Sequence, residues 1–285
     1  MKELRIGDKR FQLGKKTIVM GILNVTPDSF SDGGKFVSIE KAIQHAFQME
    51  KEGADIIDVG GESTRPGASP VTAEEEMRRV LPVLEQLVGK LRIPISIDTY
   101  KSKVAEKALE VGASMINDVS ALRGDTELLN VARNYDVPIC LMHMKGAPRN
   151  MQVNPTYKDV MGEIIDFMKE RIDYATSHGV KKENIIVDPG IGFGKRTGKG
   201  VEDNCEILRR LPELKKLGFP ILVGASRKTF IGNVCGKNKP LPVVDRLEGS
   251  LAAACVAVMN GADIIRVHDV KETRRCVDLV DCVVR

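Results

Sequence analysis

The sequence has no tryptophan, and Phe, Tyr and Trp together make up only 4% of its 285 residues. Proteins that bind single-stranded nucleic acid stack bases on aromatic side chains, so this poverty argues against that class. No apolar run approaches the roughly 20 residues of a membrane helix. The N-terminus, Met1-Lys2-Glu3-Leu4-Arg5, lacks the apolar stretch of a secretory signal. The expected compartment is the cytoplasm. Cysteines stand at 140, 205, 235, 255, 276 and 282, with no Cys-x-x-Cys pair. Several lie in apolar runs, so buried free thiols are expected, with no disulfide framework or zinc site. Charge of one sign is also lacking: 43 Lys and Arg face 39 Asp and Glu, a net +4. Signs mix along helical segments, as at Lys101-Ser102-Lys103 followed by Glu106. That pattern reads as solvated surface, with no stripe for nucleic acid. A slightly basic balance suits small anionic substrates.

What is present is an alternation. Short β-branched runs begin strands at Thr17–Val25, Asp55–Gly61, Pro94–Thr99, Met115–Ser120, Pro138–His143, Ile185–Pro189, Pro220–Ser226 and Asp263–His268. Helical patterns follow over Ser38–Glu52, from about Thr72, to about Val111, and over Thr126–Tyr135, Tyr157–His178, Val201–Leu217, Val243–Asn260 and Lys271–Val284. Thr72-Ala73-Glu74-Glu75 reads as a capping box. Gly53, Gly112 and Gly179 read as helix stops. Gly-Ala-Asp-Ile-Ile recurs at 53–57 and 261–265, a repeated helix-to-strand geometry without the fixed period of a solenoid. Eight strand–helix units with nearly continuous apolar strands predict an α/β protein, a (β/α)8 TIM barrel. The length fits, since such barrels take about 250 residues. Leu4-Arg5-Ile6 and Arg10-Phe11-Gln12-Leu13 flank Gly7-Asp8, which predicts a short N-terminal hairpin over the N-terminal mouth. No linker divides residues 1–285, which read as one domain.

Barrel strands should be apolar inside, and polar groups should gather where strands meet the loops of the C-terminal face, where this fold places active sites. Asn24, Asp58, Asp98, Asn117, Asp118, His143, Asp188, Ser226, Lys228, Arg266 and His268 all fall there. A lone buried Asp is ordinarily a satisfied structural group; eight successive strand ends of this kind point to a site. Asp58 and Asp118 stay open between chemistry and support of loop backbone. His143 is equally open. Asp98, Asn117 and Asp188 suit a planar heterocycle rich in N–H donors and ring acceptors. Lys228, Arg266 and His268 suit phosphate or carboxylate. Met20 and Met142 read as core or pocket wall. Gly190-Ile191-Gly192-Phe193-Gly194-Lys195 matches neither a P-loop nor a dinucleotide fingerprint, and Gly198-Lys199-Gly200 lacks the Ser or Thr that would hold magnesium in a P-loop. A mobile loop is expected after the sixth strand.

These residues carry a resemblance. Met20-Gly-Ile-Leu-Asn-Val-Thr-Pro-Asp-Ser-Phe-Ser-Asp-Gly-Gly34 resembles the first signature of the dihydropteroate synthases, and Gly60-Gly-Glu-Ser-Thr-Arg-Pro-Gly67 resembles the second. Ile97-Asp98-Thr99, Asn117-Asp118, Asp188-Pro-Gly190, Ser226-Arg-Lys-Thr-Phe-Ile-Gly232 and Arg266-Val-His268 follow in the family's order, so the resemblance spans essentially the whole chain. It implies condensation of 7,8-dihydropterin-6-ylmethyl diphosphate with 4-aminobenzoate, giving dihydropteroate and diphosphate, in a sulfonamide target. It assigns Asp98, Asn117, Asp188, Lys228 and Met142 to the pterin, and Asn24, Arg266 and His268 to the diphosphate, with Asn24 on a magnesium ion. It assigns Phe30, Thr64, Arg65, Pro66 and Thr229 to aminobenzoate, and catalytic roles to Asp98, Lys228, Arg65 and Asp32. It also implies a homodimer through the last helices. An SN1-like path through a pterin cation is expected, with the loops Thr26–Gly34 and Ser63–Gly67 excluding water.

Two features depart from the family's pattern. Thr229 stands where Ser is commoner, which keeps the hydroxyl. The Lys195–Asn204 loop is a few residues longer and reads as solvated surface. A methyltetrahydrofolate-dependent methyltransferase shares the barrel and pterin pocket but needs neither the Asn24–Asp28 nor the Ser63–Gly67 segment. A non-catalytic pterin-binding barrel predicts erosion of those segments, and both are intact here.

Overall fold

The computed structural model describes residues 3–26, 34–63, 67–147, 149–198, 200, 202–236 and 239–285, and of residues 34–38 the backbone alone. Eight parallel strands form one sheet: β3 (Ile18–Asn24), β4 (Ile56–Gly60), β5 (Ile95–Asp98), β6 (Met115–Asp118), β7 (Ile139–Met142), β8 (Ile185–Asp188), β9 (Leu222–Val223) and β10 (Ile264–Val267). Their order is β8-β7-β6-β5-β4-β3-β10-β9. A parallel bridge between Val187 and Ile221 joins the two ends, and the Val187 N–H donates to the Pro220 carbonyl at 2.9 Å. The sheet therefore closes into the expected barrel. Closure satisfies the edge strands, which would otherwise present open hydrogen-bonding groups.

Successive strand residues point to opposite faces, and here both faces are apolar for one reason each. Val19, Leu23, Ile57, Val59, Ile97, Ile116, Leu141, Val187 and Ile265 point outward and join the layer that the helices cover. Ile18, Met20, Ile56, Met115, Cys140, Ile186, Leu222 and Ile264 point inward at the N-terminal end. The hairpin of β1 (Glu3–Ile6) and β2 (Lys9–Gln12) caps that end. Leu4 and Ile6 share one face of β1, are fully buried, and complete the inner cluster. Each such side chain contributes about 1.5–3 kcal/mol by leaving water.

The helices are α1 (Gly34–Lys51), α2 (Ala73–Leu87), α3 (Ser102–Val111), α4 (Leu128–Tyr135), α5 (Val160–Ser177), α6 (Asp203–Lys215), α7 (Thr229–Cys235), α8 (Leu247–Met259) and α9 (Val270–Val284). Thr72 caps α2, its hydroxyl accepting the Glu75 N–H at 3.2 Å. The reciprocal half of a capping box is not formed, because Glu75 turns to Arg79 at 2.7 Å. The stop at Gly112 is real: its φ is 127°, where a β-carbon is disfavoured. Helix α9 locks the chain's end to its beginning. Asp281 accepts from the Thr17 N–H at 2.7 Å and from its hydroxyl at 2.6 Å, and Arg274 donates to the Thr17 carbonyl at 2.8 Å.

Several expectations need correction. Between β9 and α8 stands α7, opening at Thr229 where a helix start is expected after the seventh strand; β9 itself is only two residues long, because the chain turns off at Gly224 toward Lys228 before its strand pattern ends. All six cysteines are free, but only Cys140 is buried; Cys255 and Cys276 are half-buried, and Cys205, Cys235 and Cys282 lie on helix faces turned to solvent. Lys101 is no solvated residue. It pairs with Glu62 and, at 2.5 Å, with the buried Glu76, and so braces the base of the segment after β4. No helix among the described residues is long and apolar enough to cross a membrane.

Candidate active site

The strand alternation that buries Ile56, Met115, Ile186 and Ile264 places Asp58, Asn117, Asp188 and Arg266 on the same inner face, two residues nearer the C-terminal mouth. Asp98 stands likewise two residues beyond the buried Ser96. Register brings them level: Gly60, Asp98 and Asn117 are successive partners across β4, β5 and β6, and Met142 pairs with Asp188. Gly60 has no side chain to come between Asp98 and β4.

Arg266 is the hinge of this layer. Its Nε donates to Asp58 Oδ2 at 2.6 Å and its second guanidinium arm to Asp98 Oδ2 at 2.6 Å. Asn117 Nδ2 donates to the same Asp58 oxygen at 2.9 Å. Asp58 Oδ1 is buried and accepts no hydrogen bond. Asp58, left open by the sequence, therefore engages side chains of the site. Asp118 does the reverse. Its carboxylate accepts from Ser120 N and Oγ, both at 2.7 Å, and from Leu122 N at 2.5 Å. It holds a turn in which Ala121 and Leu122 have φ of 51° and 63°, so it supports backbone.

Asp188 accepts the Gly190 N–H at 2.7 Å. The Lys228 ammonium lies 4.0 Å from the centre of the Phe193 ring, a cation–π contact. Met142 and Phe193 share a small apolar cluster with Val119, Met144 and Met151, which forms a wall beside Asp188. At the rim, Asn24 ends β3 half-buried, and the His268 ring is oriented by Ser226 Oγ at 3.0 Å from Nδ1. Thr229 opens α7 and is exposed. Phe30, Asp32, Thr64, Arg65 and Pro66 lie outside the described residues.

Burial dominates the electrostatics. It pushes Asp98 up to about 7 against the pull of Arg266, and Asp188 up to about 6 against the Gly190 N–H and Lys228. It lowers Lys228 to about 8, with Arg266 adding to the fall and Asp188 and Asp98 opposing it. Burial also works against the Arg266 charge, but Asp58 and Asp98 overcome it and hold its pKa above the ordinary value. The layer thus gathers a donor amide, two carboxyls and a lysine that titrate near neutrality, and an arginine that stays charged, which suits a flat, polar heterocycle. Among the described residues no group of three or more His, Cys, Asp or Glu could hold a metal. A single rim amide such as Asn24 still fits magnesium, which keeps several waters and takes phosphate oxygens.

Sequence reasoning separated Arg266 from Asp98 by task; the structure puts them in contact. It missed Phe193 as a partner of Lys228, although a glycine-rich turn at a strand's C-terminal end was a usable signal. It also misplaced Lys195. That residue is fully buried, its Nζ at 3.0 Å from His143 Nδ1. His143 is held neutral, its pKa lowered to about 2 by burial and the Lys195 charge.

A polar inner layer at the C-terminal mouth of a closed parallel barrel defines a barrel enzyme for small heterocyclic substrates. Residues 20–268 match the family described as pterin binding enzyme. A dihydropteroate synthase of Clostridium beijerinckii is 48% identical over 283 residues, 99% of this chain and 100% of the relative. The dihydropteroate synthase of Clostridium difficile, solved in the presence of pteroic acid, is 51% identical with a TM-score of 0.89, covering 96% of this chain and 99% of that one. That of Xanthomonas albilineans, solved with 4-aminobenzoic acid, is 43% identical with a TM-score of 0.90, covering 99% and 98%. The chain belongs to the pterin-binding enzymes and, among them, to the dihydropteroate synthase family.

Proposed function

We propose that the barrel mouth joins 7,8-dihydropterin-6-ylmethyl diphosphate to 4-aminobenzoate, releasing diphosphate and 7,8-dihydropteroate. The observation that carries this reading is the inner layer of Asp58, Asp98, Asn117, Asp188, Lys228 and Arg266, with the Met142–Phe193 wall beside it. Asp98, Asn117 and Asp188 accept from and donate to the pterin edge, and Lys228 meets its ring acceptors. Arg266 holds Asp98 in place and faces the boundary with the diphosphate, which His268 and Asn24 bind at the rim.

The C–O bond to diphosphate breaks first, and its electron pair leaves with the diphosphate. The pterin methylene keeps a positive charge spread into the ring. Anionic Asp98 and Asp188 favour that charge, which is electrostatic stabilisation by groups already in place. The aminobenzoate nitrogen carries a lone pair at neutral pH, forms the C–N bond, and then loses a proton to solvent. No strong general base is required. Thr64, Arg65, Pro66, Phe30 and Thr229 hold aminobenzoate, and Asp32 and Arg65 assist turnover. Asn24 would hold magnesium, which supplies charge neutralisation for the diphosphate oxygens when bound.

We further propose a cytoplasmic homodimer. Val256 and Met259 on α8 and Leu279 and Val283 on the adjacent α9 are exposed apolar residues, a face that a second copy would cover. Six free thiols accord with a reducing compartment.

The decisive test supplies the pterin diphosphate, magnesium and 4-aminobenzoate and measures diphosphate release. Release dependent on aminobenzoate supports the synthase. Pterin binding with no release in its presence sinks it and leaves a pterin-binding barrel. Methyl transfer from methyltetrahydrofolate to a corrinoid protein would favour the methyltransferase reading. Arg65→Ala is expected to cripple turnover while pterin affinity, measured by calorimetry, stays nearly intact.

A further inference from the structure

The turn after β8 carries a lysine that this chemistry does not use. Lys195 is the largest fully buried side chain among the described residues. Its Nζ donates to the Gly190 carbonyl at 2.8 Å and the Phe193 carbonyl at 2.9 Å, and lies 3.0 Å from His143 Nδ1. Three donors therefore meet three acceptors, which is how a buried ammonium is kept. A lysine serving only as a surface charge would not be enclosed, so its enclosure calls for an account.

Each carbonyl that Lys195 holds leads to a pterin-side charge. The residue whose carbonyl it takes at 190 donates its own N–H to Asp188 Oδ1 at 2.7 Å. Gly190 sits at φ 70°, and a β-carbon there would lie 1.8 Å from the His143 carbonyl, so only glycine fits this turn. The residue whose carbonyl it takes at 193 closes a turn on Gly190, its N–H donating at 3.0 Å, and its ring lies against the Lys228 ammonium at 4.0 Å. Between them, Gly192 donates to Asn204 Oδ1 at 2.7 Å, and its carbonyl accepts from Gln152 Nε2 at 2.5 Å. Asp188 ends β8 and Lys228 precedes α7, and the 190–193 turn is the piece of backbone that touches both.

We infer that Lys195 is a positioning residue for the pterin ring: from below the site, its ammonium fixes the 190–193 turn that aims the Asp188 carboxylate and supports the Lys228 ammonium. The inference rests on the pterin reading above. It deepens that reading by adding a residue that touches no substrate. Burial lowers Lys195 to about 7, so on the acid side of neutrality it is a cation near Asp188, and there it joins Lys228 and Arg266 in favouring the Asp188 anion.

The test compares wild type with Lys195→Met and Lys195→Gln. It uses calorimetric binding of the pterin diphosphate with magnesium, the aminobenzoate KM, and the pH profile of pterin affinity. Lys195→Met is expected to weaken pterin binding at least tenfold and Lys195→Gln at least threefold, with the aminobenzoate KM unchanged within twofold. In both, the acid limb of the profile moves to higher pH, because the Asp188 anion loses a neighbouring cation. A brace with only a folding role lowers Tm without moving that limb or the affinity of the folded molecules. Should Lys195→Met fail to fold, Lys195→Gln decides. Pterin affinity within twofold of wild type and an unmoved limb in the folded variants overturn the inference alone. A wild type that does not bind the pterin diphosphate overturns the proposed function and this inference with it.

Discussion

The two ends of the barrel interior stand on the same strands with the same alternation and opposite chemistry. At the N-terminal end, Ile18, Met20, Ile56, Met115, Ile186 and Ile264 close beneath Leu4 and Ile6 into an apolar plug. Two residues farther along four of those strands stand Asp58, Asn117, Asp188 and Arg266. The plug needs only the right volume. The polar end needs every charge matched, because a buried ion without a partner is costly. Stability and binding are thus divided along the strand axis, with a single step of two residues between them.

Substitutions at the two ends test that division. Arg266→Met strips the counter-ion from Asp58 and Asp98 at once. It is expected to cost about 3–5 kcal/mol of stability in urea titration, and turnover should fall on the order of 100-fold or more. Loss of stability with turnover intact would make the polar layer a structural network. Met20→Ala, in the plug, is expected to cost about 2–5 kcal/mol by the same titration. Its pterin affinity should stay near wild type; a matching loss of affinity would show that the two ends are coupled. Asp98→Asn is expected to weaken pterin binding about tenfold, since a charge-assisted hydrogen bond becomes a neutral one. Unchanged affinity in calorimetry would remove Asp98 from the pterin edge.

Titration offers a gentler probe. Asp188 and Asp98 ionise only as pH passes about 6 and about 7, so pterin affinity should rise through that range. It should decline again as Lys195 and then Lys228 lose their protons, near 7 and near 8. The sign for folding is opposite. Both carboxylates have folded values above the ordinary 3.8, so the native state binds more protons across that interval. Their contribution to stability therefore falls as pH rises from about 4 to 7. Met20→Ala should leave both profiles unmoved. Asp188→Asn should remove the acid limb centred near 6 from the affinity profile. The smallest effect belongs to Thr229→Ser, which keeps the hydroxyl at an exposed position. Its turnover should stay within about twofold, in line with ordinary surface substitutions.

Asp58 and Asp118 mark the limit of what a sequence discloses. Each follows two strand residues and precedes a valine, in Ile-Ile-Asp-Val and Ile-Asn-Asp-Val. One local pattern leads to two fates because β4 and β6 differ in phase. Asp58 shares parity with the inward Ile56, whereas Asp118 lies one residue off the inward pair Met115 and Asn117. Asp118 consequently turns to the backbone of Ser120 and Leu122, and Asp58 to Arg266. Lys195 is the sharper case. A lysine in a glycine-rich loop reads as solvated, and only the packing of the β8 turn against the loop after β7 encloses it.

Local stretches of chain encode the eightfold strand–helix alternation, the hairpin at the N-terminal mouth, and the gathering of polar residues at strand ends. Those follow from periodicity and local turn chemistry, which act over a few residues. Tertiary structure decided which polar residues meet. Arg266 bonds Asp58 across 208 positions and Asp98 across 168. Lys195 reaches His143 across 52. Such partnerships depend on barrel closure and strand register, which are set by packing the whole sheet, and no local stretch of chain encodes them.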